Sequence, residues 1–280
     1  MISGSTPGSH GLPITWDLVL PQSSSSKPGV VVIVHGFKGF KDWGFFPELA
    51  KRIAANGMAA LSINTSHNGV GLDNDQDEFT RLDVFADNQT SFEVSDIETM
   101  IAAIQNDSLY DGVALDKSNI ALLGHSRGGA AVLLAAARQE DMKAVVTWAS
   151  VNTVAFPPAA KEAFLADGKW AFLNGRTGQT MTLNLAAFQD VDPMPSRLDL
   201  QQQVNQVKAA MLFIHGKEDT SVPVQSVFDL ARFSDGNGEI YLVEGADHVF
   251  NCRHPFAGPT PELEAAILRT LVHFQNHLTA

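Results

Sequence analysis

Short runs of unbroken apolar residues alternate along the chain with longer stretches whose apolar positions recur every three or four residues. Val30-Val31-Val32-Ile33-Val34-His35 is apolar almost throughout and rich in β-branched side chains, as a strand buried on both faces requires. Residues 59–63, 119–123, 144–148, 209–214 and 239–243 repeat the pattern and predict five further strands, and residues 14–20 predict an extended segment ahead of them. Helices are predicted in between. One covers 45–56 and ends before Gly57, a residue suited to a helix C-cap. Another covers 93–105, where Val94, Ile97, Ile101 and Ile104 fall on one helical face. Three more are expected over 128–138, 224–233 and 261–277. Residues 64–77, rich in Gly, Asn and Asp, predict a loop, and Ser23 to Pro28 a serine-rich turn.

Strand and helix in alternation predict βα units, and so an α/β architecture with a mostly parallel central sheet flanked by helices. The rhythm breaks over residues 153–206. That stretch holds Pro157-Pro158 and two alternating segments, Trp170-Ala171-Phe172 and Thr180-Met181-Thr182-Leu183, separated by an Asn174-Gly175 turn signal. The pattern predicts a small hairpin. The region is expected to be a cap inserted into a single domain spanning residues 1–280.

Composition then excludes some classes of partner. The 280 residues carry a formal net charge of −12, and no stripe of Lys and Arg offsets it, so no nucleic-acid partner is expected. No apolar run approaches the roughly 20 residues that span a bilayer. The first residues lack a basic segment followed by an apolar one, so a cytoplasmic location is expected. Cys252 is the one cysteine, which rules out an intramolecular disulfide. No glycine-rich nucleotide fingerprint or phosphate loop follows an early strand, and no cofactor is expected. His248, Cys252 and His254 are zinc-ligand types, but their spacing fits no common site, and no metal is expected.

The candidate chemistry begins with Gly124-His125-Ser126-Arg127-Gly128-Gly129. A Gly-x-Ser-x-Gly pattern alone says little. Here the serine ends a predicted strand and opens an Ala-rich helix, the context that places a serine oxygen above a sheet and over a helix N-terminus. Serine needs a positioned base to act as a nucleophile. His248, in Gly245-Ala246-Asp247-His248 after the last predicted strand, is the expected base, with His254 its competitor. Asp219 lies in the turn after the strand ending at Ile214 and is expected to orient the imidazole, with neighbouring Glu218 as the alternative. The three residues follow three separate strands in the order Ser, Asp, His, which chance rarely arranges.

Together with His35-Gly36-Phe37 and Val222-Pro223, these motifs resemble the α/β-hydrolase superfamily, and within it the dienelactone-hydrolase-like and small-molecule carboxylesterase branch. The resemblance spans residues 30 to 250. It implies an α/β-hydrolase fold, a Ser126-His248-Asp219 triad, and an oxyanion hole made of the Phe37 and Arg127 backbone N–H groups. Dienelactone hydrolases proper carry cysteine at the elbow, so Ser126 removes any implication of lactone specificity. A serine esterase acting on small or medium esters, aromatic ones among them, through an acyl-enzyme is the function implied. A peptidase, thioesterase, acyltransferase or perhydrolase would use the same groups, and a non-catalytic binding protein would not need them. Within the cap, Trp170, Phe172, Met181 and Phe188 are candidate substrate contacts, or else the cap's own core; His67, after the strand ending at Ile63, is another candidate contact. Lys38 and Lys41 are expected to be solvated.

Overall fold

A computed structural model describes residues 1–22 and 27–278. Ser23 to Ser26, the first residues of the predicted serine-rich turn, lie outside the described residues.

The chain opens with β1 (Ile2–Pro7) and β2 (Pro13–Val19), an antiparallel pair. It continues through β3 (Val30–Val34), α1 (Phe46–Ala55), β4 (Ala59–Asn64), α2 (Leu82–Ala86) and α3 (Thr90–Gln105). Next come β5 (Ile120–His125), α4 (Arg127–Ala136) and β6 (Ala144–Trp148). The following stretch carries α5 (Pro158–Asp167), β7 (Lys169–Leu173), β8 (Thr180–Asn184), α6 (Leu185–Gln189) and α7 (Leu200–Gln203). The chain closes with β9 (Ala210–Gly216), α8 (Gln225–Phe233), β10 (Gly238–Val243) and α9 (Pro261–His277).

Eight strands form one sheet in the order β1-β2-β4-β3-β5-β6-β9-β10, parallel from β4 to β10. This is the mostly parallel, helix-flanked sheet of the α/β-hydrolase fold. The unbroken apolar run of β3 is explained by burial on both faces: Val30, Val32 and Val34 pack into one core, Val31 and Ile33 into the other. The first core is covered by α3, α4 and α8 through residues such as Ile97, Ile101, Leu133 and Leu230. The second is covered by α1 and α9 through Leu49, Ile53, Ile267 and Phe274.

The predicted strands and long helices fall where expected, to within a few residues at each end. Several elements carry no such signal. β1 lacks apolar alternation because its inward positions serve Trp16: the indole occupies the space a Cβ on Gly4 would fill, at 2.4 Å, and its Nε1–H donates to Thr6 Oγ1 at 3.1 Å. α5 starts at Pro158, so Pro157-Pro158 begins a helix instead of breaking the chain; proline suits a first helical position because that N–H has no partner inside the helix. The hairpin predicted around Asn174-Gly175 is the β7–β8 pair. Lys41 is buried and ion-paired with Asp17 and Asp42, contrary to the solvated position expected.

Candidate active site

Parallel strands deliver their C-terminal ends, and the loops that follow, to one edge of the sheet. β3, β5, β9 and β10 each contribute there. Ser126 occupies the step from β5 into α4 with φ 56° and ψ −123°, a backbone state that costs a non-glycine residue about 1–3 kcal/mol. The surroundings enforce it. The Ser126 N–H donates to the Trp148 carbonyl on β6 at 2.8 Å, and the Ser126 carbonyl accepts from the Gly129 N–H at 2.9 Å. A Cβ on Gly124 would lie 2.2 Å from the Gly128 carbonyl oxygen, and one on Gly128 would lie 2.3 Å from the His35 carbonyl oxygen. Both glycines of the motif are therefore steric requirements of the reversal.

His248, on the loop after β10, stands 3.1 Å from Ser126 Oγ through Nε2 and 2.7 Å from Asp219 Oδ2 through Nδ1. Because an ionised carboxylate can only accept, the imidazole proton sits on Nδ1, and Nε2 is left to accept from the serine hydroxyl. The Asp219 side chain is fully buried. Burial works to raise its pKa, but hydrogen bonds from His215, His248 and the Val222 N–H outweigh it and hold the carboxyl well below the usual range. Asp219 Oδ1 accepts from the N–H groups of Ser221 and Val222 at 2.8 and 2.9 Å, which fixes the carboxylate from its other side. Glu218, the alternative considered, is exposed. His254 is also set apart: its Nδ1 accepts from the Gly44 N–H at 3.1 Å, and its ring stacks on Trp43.

His125, beside Ser126 in the same motif, braces His248. Its Nε2–H donates to the His248 carbonyl at 2.9 Å, and the two rings lie 4.8 Å apart. Burial, helped by nearby His248, pushes its pKa down to about 3. His35 is likewise neutral, pushed down to about 4 chiefly by burial, with Nδ1–H donating to the Gly36 carbonyl at 2.9 Å. His215 lies near the end of β9. Its Nε2 reaches the Val222 carbonyl at 3.0 Å and Asp219 Oδ2 at 3.3 Å.

The loop after β3 presses against the serine. A Cβ on Gly36 would lie 2.8 Å from Ser126 Cβ, which brings the Gly36-Phe37 backbone alongside the first turn of α4. The Arg127 N–H lies in that first turn and has no acceptor within its own helix. The Arg127 side chain turns away: its Nε donates to Glu93 Oε2 at 2.9 Å, and a terminal nitrogen donates to Thr90 Oγ1 at 3.1 Å.

A cleft of about 730 Å³ opens over Ser126 and His248. Phe37, Trp43, Phe156 and Trp170 supply its aromatic walls. Phe172 stands behind them, its ring 5.5 Å from that of Phe37 and 4.4 Å from that of Trp170. The remaining candidate contacts lie elsewhere. Met181 is fully buried beneath the β7–β8 hairpin, because alternation on β8 turns it inward with Leu183. Phe188 is buried and stacks on Phe164 at 5.4 Å. His67 is buried against Phe92 and bonds Ser66 Oγ at 2.8 Å, so it packs the far side of its loop and does not line the cleft. Among the described residues, no group of three or more His, Cys, Asp or Glu side chains is placed to hold a metal, and no helix is long and apolar enough to cross a membrane.

Comparison with known proteins supplies the family. The structure of Est1E from Butyrivibrio proteoclasticus with bound ferulic acid is 17% identical, matches over 99% of both chains and superposes with a TM-score of 0.72. A dienelactone hydrolase from Anabaena variabilis is 18% identical over 99% of this chain and 98% of that one, with a TM-score of 0.62. A puromycin-hydrolyzing peptidase from Mycobacterium tuberculosis is 18% identical over 99% of this chain and 39% of its own, with a TM-score of 0.66. No curated protein sequence matches the chain. At these identities the likeness establishes the fold alone. Residues 25–184, more than half of the chain, match the family described as serine aminopeptidase, S33. The chain belongs to this serine aminopeptidase S33 family of serine hydrolases and carries the α/β-hydrolase fold.

Proposed function

We propose that the protein is a carboxylic-ester hydrolase that works through a Ser126 acyl-enzyme on small or medium esters, aromatic ones among them. The observation that carries this reading is the hydrogen-bonded run from Asp219 through His248 to Ser126 beneath an aromatic cleft. In the first step Ser126 Oγ attacks the ester carbonyl carbon and its proton passes to His248 Nε2. The Phe37 and Arg127 N–H groups hold the oxygen as it becomes negative, and they need no reorganisation because a helix terminus and a tight loop already fix them. The C–O bond to the alcohol then breaks, and the alcohol leaves with the proton from His248. Water, deprotonated by the same nitrogen, releases the acid and restores the serine. Asp219 stays ionised and keeps the Nδ1 proton in place. Residues 153–206 act as a cap in this reading, with Trp170 as their contact to substrate and Phe172 supporting it. The ferulic acid bound in Est1E and the dienelactone-hydrolase neighbour support an ester substrate.

A fluorophosphonate probe and a series of para-nitrophenyl esters test the proposal. Wild type should label at Ser126 and release nitrophenol, and Ser126→Ala should do neither. Labelling that persists in Ser126→Ala would overturn the nucleophile. The family's description favours one second reading, cleavage of aminoacyl amides by the same groups. Labelling with no ester turnover but release of nitroaniline from aminoacyl anilides would select it.

A further inference from the structure

Resting on the reading of the site as an ester hydrolase, we infer that the substrate carries a carboxylate, received at the mouth of the cleft by Arg176 and Lys38. Both side chains line the cleft over Ser126 and His248, and Arg176 also borders the smaller cavity between Gly36, Phe37 and Ser126. Among the described residues neither has a carboxylate within ion-pairing distance or a side-chain hydrogen bond, whereas the third cation of the cleft, Arg127, is consumed by Glu93.

The two are placed, not loose. Lys38 Nζ lies 5.8 Å from the centre of the Phe37 ring and 5.5 Å from that of Phe172. The Arg176 guanidinium lies 5.2 Å from the centre of the Trp43 ring. Aromatic faces hold cations by their quadrupole and leave the N–H groups free for a second partner. The backbone of Arg176 is tied down as well: its N–H donates to Asn174 Oδ1 at 3.2 Å, and Asn174 is itself buried with its Nδ2 on Met181 Sδ at 3.5 Å. Burial lowers the pKa of both cations, and Arg176 adds like-charge repulsion at Lys38. An anion between them would neutralise that repulsion and offset the cost of burial.

Charge balance points the same way. The chain bears a formal net charge of −12, which disfavours approach by an anion at long range, yet with Arg127 paired to Glu93 the cleft lining still holds Lys38 and Arg176 against one carboxylate, Asp247. Asp247 Oδ1 is already taken by the N–H groups of Val249 and Asn251 at 2.9 and 2.7 Å. A substrate with a free ammonium group beside the scissile bond would meet two unpaired cations, so the same lining disfavours an aminopeptidase's substrate. The planar fork of Arg176 suits a carboxylate's two oxygens.

The test compares anionic esters with neutral twins of the same shape. para-Nitrophenyl hydrogen adipate places the carboxylate on the acid side, and meta-acetoxybenzoate places it on the alcohol side; each is set against its methyl ester. In one of the two pairs, wild type should favour the anion in kcat/KM by about tenfold or more at low salt. That ratio should fall toward one in half-molar salt, and also in the Arg176→Gln/Lys38→Gln double variant, while Arg176→Glu should invert it. A ratio at or below one in both pairs, or one that the double variant leaves unmoved, overturns the inference while the ester reading stands. If no ester of either kind turns over, the ester reading fails. The inference is then judged by protection of Ser126 from the fluorophosphonate probe: monomethyl adipate should slow wild-type labelling and dimethyl adipate should not. Equal protection by the two overturns it.

Discussion

The two sides of the cleft are fixed by different physics. On the sheet edge, Ser126, His248 and Asp219 are placed by backbone: by strand ends, by glycines whose missing Cβ atoms make room for carbonyl oxygens, and by buried hydrogen bonds to Asp219. Across from them, the stretch between β6 and β9 presents Trp170 and Arg176 from a hairpin whose strands, among the described residues, pair only with each other. That hairpin is anchored by side chains, Met181 and Leu183 beneath it and the rings of Phe156 and Phe164 beside Trp170. Backbone placement fixes atoms to fractions of an ångström and tolerates little change. Side-chain anchoring allows the exposed face to vary without unfolding what lies below.

If that contrast is right, the largest effect belongs to Asp219. Asp219→Asn keeps the shape but allows the amide to donate to His248, which favours the wrong tautomer; kcat should fall by about 10⁴. Glu218→Gln, one residue away and exposed, should stay within about twofold. Ester kinetics on both variants decide it, and a reversed pattern would move the acid to Glu218.

The next effect is on stability and compares two glycines. Gly128→Ala forces a Cβ to within 2.3 Å of a backbone oxygen and should cost about 3 kcal/mol. Gly175→Ala in the hairpin turn meets nothing within 4 Å and should stay within about 0.5 kcal/mol. Urea unfolding of both variants measures the difference, and equal costs would break the contrast.

Acid should likewise act on one side only. Residues 149–209 contain no histidine, whereas the sheet edge buries His125 and His35 in neutral form. An unfolded histidine takes up its proton near pH 6.5, but the native protein resists until about pH 3 at His125 and about 4 at His35. Stability from each group is therefore complete above pH 6.5 and is lost as the pH falls toward those values. Between pH 6.5 and 4.5 each should cost about 2.5 kcal/mol. His125→Phe starts less stable, having left the His248 carbonyl without its donor, but its loss over that interval should be smaller by about that amount. Unfolding midpoints at the two pH values give the slopes, and parallel slopes would show that His125 takes up its proton in the native state.

How much of this was legible in the sequence follows the same divide. Strand-end residues announce themselves, because an apolar run, a glycine pair and a serine or histidine must be contiguous for the backbone to turn there. Ser126, Asp219 and His248 were visible for that reason. The wall opposite was not. Trp170, Phe172, Met181 and Leu183 share one face of the hairpin, and nothing in their identities says which of them reaches the cleft and which the core. Lys38 read as a solvated turn residue and Arg176 carried no signal, since the rings beside them come from Phe172 and Trp43, far away in the chain. Lys41 looked equally exposed until Asp17, on the neighbouring β2, supplied its partner.

The smallest expected effect is also the one that best separates the two walls. Trp170 lines the cleft together with Phe156, whose ring is 5.9 Å away, and has Phe164 at 6.3 Å and Phe172 at 4.4 Å. In the proposed reading Trp170→Ala removes apolar surface that meets substrate before and during reaction alike, so it should take away uniform binding. KM for longer or aromatic esters should rise about five- to tenfold with kcat nearly unchanged, and acetate esters, too short to reach the ring, should barely respond. Its half-exposed position also keeps the cost in stability below that of a core truncation. Measuring kcat and KM across acyl chain lengths reads the split directly. A fall in kcat for acetate as well as for long esters would mean that the hairpin positions the reacting groups, and the division between a wall that reacts and a wall that selects would be lost.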